Sequence, residues 1–582
     1  MDVPVAPLEF TLQRVPAPPK HTLSATWLRA PVARNVGRKR WYMGCILFDA
    51  RDSRRVLLQR APPWRFERSI LCQADSSNGF FRWSPVSVAP PRFRRPPNLG
   101  LPKTEILSPR VNVMQTNRNR PRSSVTRRTF IANAAVAGIG GAGIGGAVVS
   151  GLADDGVGRS NTAVQTLCCQ APIVRSVDVL VCGGGPSGCA AALYAARAGA
   201  KTMLLETLPF LGGVWTAVGV SHLIAGRGHD GLNAEIHQRL PVHQVFGRNI
   251  YLIEDMKLLL DDLMAEAGVE TQFYTRAMAV AKDGARVQGV FTASKSGFEF
   301  LPARVVIDAT GDGDIAAAAG CQFEMGRSFD GKTQPVTLFG TIGGYRGQAA
   351  KGQTLVDILA KGGWRPSYPP ITLFPQPGQP GVFQLMATQF YGVDGTDAGA
   401  LSRAEIQGRR EIRKCVEVFR EHGGDDWKDA FLIATGPAIG VRETRRIRGR
   451  YDLTWEDLDR GSRFEDGITE IASGSNIHPV DDPYEAPPAG LPAGPRFRVR
   501  PYQIPFRCLV AADVDNLLMV GRCISGDCYA LGSYRLTGNV VRTGEAAGLA
   551  AAMATEQSVQ PSELDSKALV ERLNAMRAQT AE

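Results

Sequence analysis

The residues whose spacing carries the most specific chemistry are glycines. Gly183-Gly184-Gly185-Pro186-Ser187-Gly188 follows the apolar run Val177–Cys182 and opens a small-residue stretch from Cys189 to Ala198. In such a turn Gly183 permits a sharp reversal, and Gly185 lets the backbone approach a diphosphate. Gly188 lets helix pack closely on strand. The amide groups at the helix start, from Ser187 onward, then face phosphate oxygens, where the helix dipole favours negative charge. A second apolar run, Lys201–Leu205, ends on Glu206, 23 residues after Gly183. That acid is placed to accept hydrogen bonds from adenosine ribose hydroxyls, and it would repel a ribose phosphate, which disfavours NADP. Strand, glycines, helix, second strand and terminal acid agree on dinucleotide binding. A glycine-rich turn in some other α/β domain would leave Glu206 unexplained.

Other elements must bring further backbone to the same place. Gly212-Gly213 lies in Pro209–Thr216, shortly after the ribose acid. Val305–Asp308 reads as a buried strand running into Ala309-Thr310-Gly311-Asp312, after alternating strands around Val287 to Phe300. Asn516–Gly521 gives another buried strand, followed by Arg522, by Ala530-Leu531-Gly532-Ser533 and by a small-residue helix from about Asn539 to Ala552. Together these motifs resemble the FAD-dependent oxidoreductases related to the fumarate reductase and succinate dehydrogenase flavoproteins, and more distantly the heterodisulfide reductase flavin subunits. Val441–Ile447, Tyr502–Arg507 and Gly521–Ser525 add to the resemblance, which runs from about Val177 to Ala552.

The resemblance implies an α/β fold: a glutathione-reductase-like FAD-binding Rossmann domain with an inserted α+β substrate domain. FAD is then the cofactor, and the last helix directs its start at the flavin ring. Gly183, Gly185, Pro186, Ser187, Gly188 and Glu206 would contact the cofactor. So would Gly212, Gly213, Thr310, Gly311, Asp312, Gly521, Arg522, Gly532 and Ser533. Two departures matter. Arg522 stands where disulfide reductases place an Asp, and their CxxxxC pair beside the first helix is missing. No second GxGxxG opens a nicotinamide domain between residues 330 and 500, so the electron donor or acceptor is expected to be separate. The cysteines offer no quartet for an iron–sulfur cluster, and no metal is expected.

Side chains able to position a substrate or move protons are His222, Arg442, Arg445, His478, Tyr534 and Arg535. Each has a plainer reading. His222 either faces the flavin, even carrying it covalently, or is a satisfied structural histidine. Arg445 lies in a charged run where ion pairs are common. Tyr534 and Arg535 adjoin the expected flavin-contacting loop. Cys523 and Cys528 are either a disulfide or two buried thiols.

The 582 residues carry a formal charge of +11, but unevenly. Residues 1–113 hold 19 Lys/Arg and 7 Asp/Glu, and residues 114–150 hold five arginines and no acid. Residues 151–582 are therefore net −6, which argues against a nucleic-acid partner. Thr126-Arg127-Arg128-Thr129-Phe130-Ile131 opens an uncharged Gly/Ala-rich run to Val149 that resembles a twin-arginine export signal. It implies the twin-arginine translocase as a partner and a periplasmic or extracellular location, with an uncleaved signal serving as an anchor in the alternative. Met114 sits a suitable distance upstream, so residues 1–113 read as a misassigned or non-structural extension and 114–153 as the signal. The FAD-binding domain is expected in three pieces, 174–221, 271–324 and 501–556. A substrate cap would comprise 222–270 and 325–500, and a tail helix 557–582. The whole reads as a flavin enzyme transferring hydride to or from a small organic substrate. A flavin-containing hydratase or isomerase and a non-catalytic flavin carrier are the alternatives.

Overall fold

The computed structural model describes residues 170–225, 230–482, 484 and 494–580, and the backbone of three strands nearer the N-terminus. The chain divides into two units, Met1–Ala135 and Val136–Glu582. In the first, Ala25–Trp27, Cys45–Phe48 and Val56–Gln59 pair in that order as an antiparallel sheet. The expected start at Met114 and the export signal lie outside the described residues.

The second unit is built on a mixed sheet. Its strands are β1 (Val177–Cys182), β2 (Thr202–Leu205), β3 (Glu270–Gln272), β4 (Arg276–Asp283), β5 (Arg286–Ser294) and β6 (Gly297–Asp308), in the order β3-β2-β1-β6-β5-β4. The strand β11 (Leu517–Met519) pairs with the end of β6. β1, β2, β3, β11 and the second half of β6 run parallel, whereas the first half of β6 joins β5 and β4 antiparallel. Val179, Leu180, Val181, Val306 and Ile307 are buried, as in a parallel sheet covered on both faces.

One cover is a pair of small-residue helices, α1 (Pro186–Arg197) and α4 (Thr537–Gln557). A Cβ on Gly544 would lie 2.1 Å from the Ser187 carbonyl oxygen, and one on Gly548 2.1 Å from that of Ala191. No larger residue permits that approach. The helix α2 (Ile253–Glu266) adds Met256, Leu259, Leu260 and Leu263 to the same core. The stretch 222–270 therefore divides: its second half, assigned by sequence to the cap, completes the parallel layer, because α2 is amphipathic toward that core and β3 extends the sheet. The final helix α5 (Ser566–Ala578) also docks on it, through Leu569, Leu573 and the buried Arg577.

A second apolar cluster lies in the stretch expected to form the cap. The strands β7 (Phe339–Gly343), β8 (Thr372–Pro375), β9 (Phe383–Met386) and β10 (Phe431–Thr435) make an antiparallel sheet in the order β8-β9-β7-β10. The long helix α3 (Ala398–His422) packs Ile412 against Gly340, where a Cβ would come within 2.6 Å. Gly467–Ile471 pairs with Tyr502–Pro505, and its Ile468 and Ile471 join the first core rather than the cap. Among the described residues no helix is long and apolar enough to cross a membrane.

Candidate functional site

The carboxyl ends of β1, β6 and β11 lie side by side, and each is followed within three residues by a glycine, Gly183, Gly311 and Gly521. Gly183 leaves β1 with φ +112°, a left-handed conformation costly for any other residue, and its Cβ would strike the Ala309 carbonyl oxygen at 2.4 Å. Gly188 is closed from behind as well: its Cβ would sit 1.9 Å from the Gly183 oxygen. Gly185 differs. It caps α1 with φ −72°, and nothing in the chain lies within 4 Å of where its Cβ would be. Pro186 occupies the first turn of α1, where its missing N–H has no intrahelical acceptor. The loop thus presents open space beside helix-start amides, the shape and charge a diphosphate requires.

The other glycine stretches close on that loop. Gly212 donates its N–H to the Gly184 oxygen at 2.8 Å, and a Cβ on Gly213 would meet the Gly185 Cα at 3.0 Å. Gly521, at φ +80°, faces Ser187 Oγ, and its N–H donates to Thr543 Oγ1 at 3.1 Å. Glu206 braces the loop: one carboxylate oxygen accepts the Gly184 N–H and the other the Leu208 N–H, both at 2.8 Å. Burial raises its pKa above the ordinary value. Trp215 Nε1, just past Gly213, is buried without an acceptor from the chain.

The end of β6 is organised by the buried Asp308, which accepts from the Thr310 N–H and Oγ1 and from the Ala316 N–H at 3.1, 2.7 and 2.8 Å. Burial pushes its pKa up to about 6. Gly311 has φ +78°, and Arg522 lies over it, with Nη2 2.8 Å from Asp312 Oδ1. The guanidinium that replaces the disulfide reductases' acid is therefore neutralised by Asp312, which also accepts from Thr444 Oγ1.

The chemistry-bearing candidates separate into two groups. Arg445 donates to the Asp312 carbonyl and the Asp314 carboxylate, so it fastens the β6 turn. Tyr534 is fully buried, its hydroxyl spent on the Ile524 carbonyl. Gly532 packs against Ile477, and Ser533 accepts from Tyr502 inside the core. These four are structural in placement. His222 is buried and stacked on Phe374; its Nε2 accepts from Arg248 at 2.8 Å, which puts the proton on an Nδ1 without a partner. Burial lowers its pKa to about 3, so the ring is neutral.

Arg442 and Arg535 instead converge from separate elements on one segment. Arg442 Nη1 donates to the Pro335 carbonyl and to Thr337 Oγ1, both at 2.7 Å. Arg535 Nη2 donates to Gln334 Oε1 at 3.2 Å and to the Asn476 carbonyl, while its Nε is buried without a partner. His478 joins them: its N–H donates to Gln334 Oε1, and its Nδ1 lies 2.7 Å from Gln389 Nε2. Tyr391 donates to Gln389 Oε1. Gln334, Gln389 and Tyr391 carry no sequence signature and escape a reading by motif. Cys523 and Cys528 are free buried thiols.

A profile of the FAD dependent oxidoreductase family matches residues 178–573. The thiamine thiazole synthase of Metallosphaera sedula is 31% identical over 157 residues, 24% of this chain and 57% of that protein, so the chain spans little more than half of that relative's length. Among solved structures, a geranylgeranyl bacteriochlorophyll reductase-like protein from Thermoplasma acidophilum is 16% identical. It covers 69% of this chain and 83% of its own, with a TM-score of 0.38. The p-nitrophenol 4-monooxygenase from Pseudomonas putida DLL-E4 is 12% identical over 70% of this chain and 88% of its own, with a TM-score of 0.37.

Proposed function

The chain belongs to the FAD dependent oxidoreductase family, and from that premise we propose that it transfers a hydride between its flavin and a small organic substrate. It is an FAD-dependent oxidoreductase with a Rossmann-type fold. The observation that carries the reading is the open space at Gly185, framed by Gly183, Gly188, Gly213 and Gly521 at the carboxyl ends of the parallel strands. FAD supplies the two-electron chemistry when bound. The chain's own residues do the rest. Amides of the α1 start would hold the diphosphate, and Glu206 would accept from the adenosine ribose. The segments Gly212–Gly213, Thr310–Asp312 and Gly521–Arg522 line the remainder. The start of α4 would offer a positive dipole end to a flavin bound beside it.

The antiparallel pair β4–β5 inserted before β6 supports a glutathione-reductase-like class. The motif resemblance and the large cap favour kinship with the fumarate reductase flavoproteins. A separate electron donor or acceptor completes the cycle. We further propose twin-arginine export, supported by Arg127-Arg128 and the uncharged run after them. Cell fractionation and mass mapping of the native precursor test this; a cytoplasmic protein rich in peptides from residues 1–113 contradicts it. For the reaction, organic compounds are mixed anaerobically with the purified protein and flavin absorbance is followed at about 450 nm. Bleaching by a substrate, or reoxidation of the reduced flavin by one, is expected. Turnover with no redox requirement would assign a hydratase or isomerase instead.

A further inference from the structure

Surface arginines in this fold commonly face a carboxylate: Arg197, Arg239, Arg463 and Arg507 pair with Glu235, Glu266, Glu470 and Asp466. Residues 494–500 break that pattern. They alternate without interruption between exposed and partly buried, the period of an extended strand. Phe497 and Val499 turn inward onto the first core, where Phe497 has Trp455 and Tyr529 as neighbours at ring-centroid distances of 5.9 and 6.4 Å. Arg496, Arg498 and Arg500 turn outward, and among the described residues none of them has an ion pair or a side-chain hydrogen bond. Arg460, exposed and equally unpaired, ends the short helix Trp455–Arg460. The next residue, Gly461, abuts Arg500: a Cβ there would lie 3.3 Å from the Arg500 Cβ. The main chain is asymmetric too. The Arg498 N–H donates to Asp459 Oδ1 at 3.0 Å, and the Arg500 N–H to the Leu458 carbonyl at 2.9 Å. In an extended chain the N–H groups of Phe497 and Val499 point the opposite way, and among the described residues they have no acceptor. One edge of the segment is fastened to the helix; the other is open.

We propose that residues 494–500 are a docking strand for an acidic, extended segment of a partner protein, whose carboxylates at alternate positions meet Arg496, Arg498 and Arg500. Arg460 adds to the same positive field. Successive arginines stand roughly 6.5–7 Å apart along an extended chain, which is the repeat of alternate side chains on any strand laid beside it. Each carboxylate then faces one guanidinium across the pair, and the planar forks match carboxylate geometry. The free N–H groups of Phe497 and Val499 supply main-chain donors to the same strand, as in other edges completed by an added peptide. The chain's own residues 1–150 do not fit this place, because they are strongly basic and the comb repels them. A nucleic acid or an anionic lipid surface makes no use of the main-chain donors. Both also extend well beyond the comb, where the net −6 of residues 151–582 opposes them. A short acidic strand meets only the arginines.

The test uses the purified full chain. A fluorescein-labelled heptapeptide with glutamate at alternate positions is titrated by fluorescence anisotropy. Its comparisons are the same peptide with glutamine at those positions and the same peptide with its backbone amides methylated. The acidic peptide is expected to bind, more weakly as salt rises, and both comparisons to bind less well. Arg496→Gln, Arg498→Gln and Arg500→Gln combined in one chain should lower its affinity about threefold to a hundredfold, with flavin content and melting temperature unchanged. Arg413→Gln, on the exposed face of α3, should leave it as it was. An acidic peptide that does not bind overturns the docking strand, as does binding indifferent to the glutamine exchange or to the three substitutions. Full affinity for the methylated peptide overturns strand addition. Phosphatidylglycerol vesicles or duplex DNA bound through the same arginines in preference to the peptide overturn the choice of partner. So does self-association, seen by sedimentation, that the three substitutions abolish.

Discussion

Replacing Gly185 by alanine separates cofactor binding from folding. A Cβ at this position meets no atom of the chain within 4 Å, and φ −72° suits alanine. Restricting the unfolded chain stabilises by about 0.4–1 kcal/mol, while alanine is a poorer helix cap than glycine by roughly 0.5–1 kcal/mol. The two nearly cancel, so the apoprotein of Gly185→Ala should melt within about 1 °C of its parent. The new methyl group, however, occupies the space through which a diphosphate reaches the α1 amides. Loss of two hydrogen bonds to a charged group, at about 1.5–3 kcal/mol each, weakens FAD binding about 100-fold or more. Gly188→Ala is the counterpart. Its Cβ would press on backbone at 1.9 Å, so the apoprotein itself should lose about 1–3 kcal/mol. Deflavinated proteins are compared by thermal unfolding and by quenching of flavin fluorescence during FAD titration. Affinity within twofold of the parent for Gly185→Ala would refute the placement of the diphosphate.

Glu206→Gln should weaken FAD binding about tenfold by halving the acceptors offered to ribose and to the glycine loop; equilibrium titration checks it. Because burial raises the Glu206 pKa, wild-type affinity should also fall as pH drops through that raised value. Asp308 gives a stability test. Its folded pKa, about 6, exceeds the ordinary 3.8, so the folded state holds the proton more tightly and this group's contribution declines as pH rises from about 4 to 6. The stability difference between wild type and Asp308→Asn, read from urea unfolding, should shrink over that window and then stay constant. Arg577→Met leaves Glu545 buried with only Arg542 as a charged partner, and should destabilise by about 3 kcal/mol in the same assay.

What the sequence reveals here follows from which constraints are local. Gly183 and Gly188 are legible because steric contact within one βαβ unit excludes every larger residue. The small-residue character of α4 is legible for the same reason, since Gly544 and Gly548 face the backbone of α1. The membership of α2 in the parallel layer is not legible, because an amphipathic helix of that length suits a cap equally well. The pairing of Arg442 with Arg535 arises only when the chain returns twice to Gln334–Pro335. No spacing in the sequence encodes it. Arg445, three residues from Arg442 in a similar charged run, is bound to Asp312 and Asp314 instead. Only the three-dimensional partners distinguish the two.

Absorption of the purified protein, with identification of the released cofactor, bears most directly on the central claim. The account predicts a yellow protein with a flavin band at about 450 nm that releases FAD, at one molecule per chain, on denaturation. A well-folded protein that is colourless and takes up no FAD at micromolar concentration would contradict it.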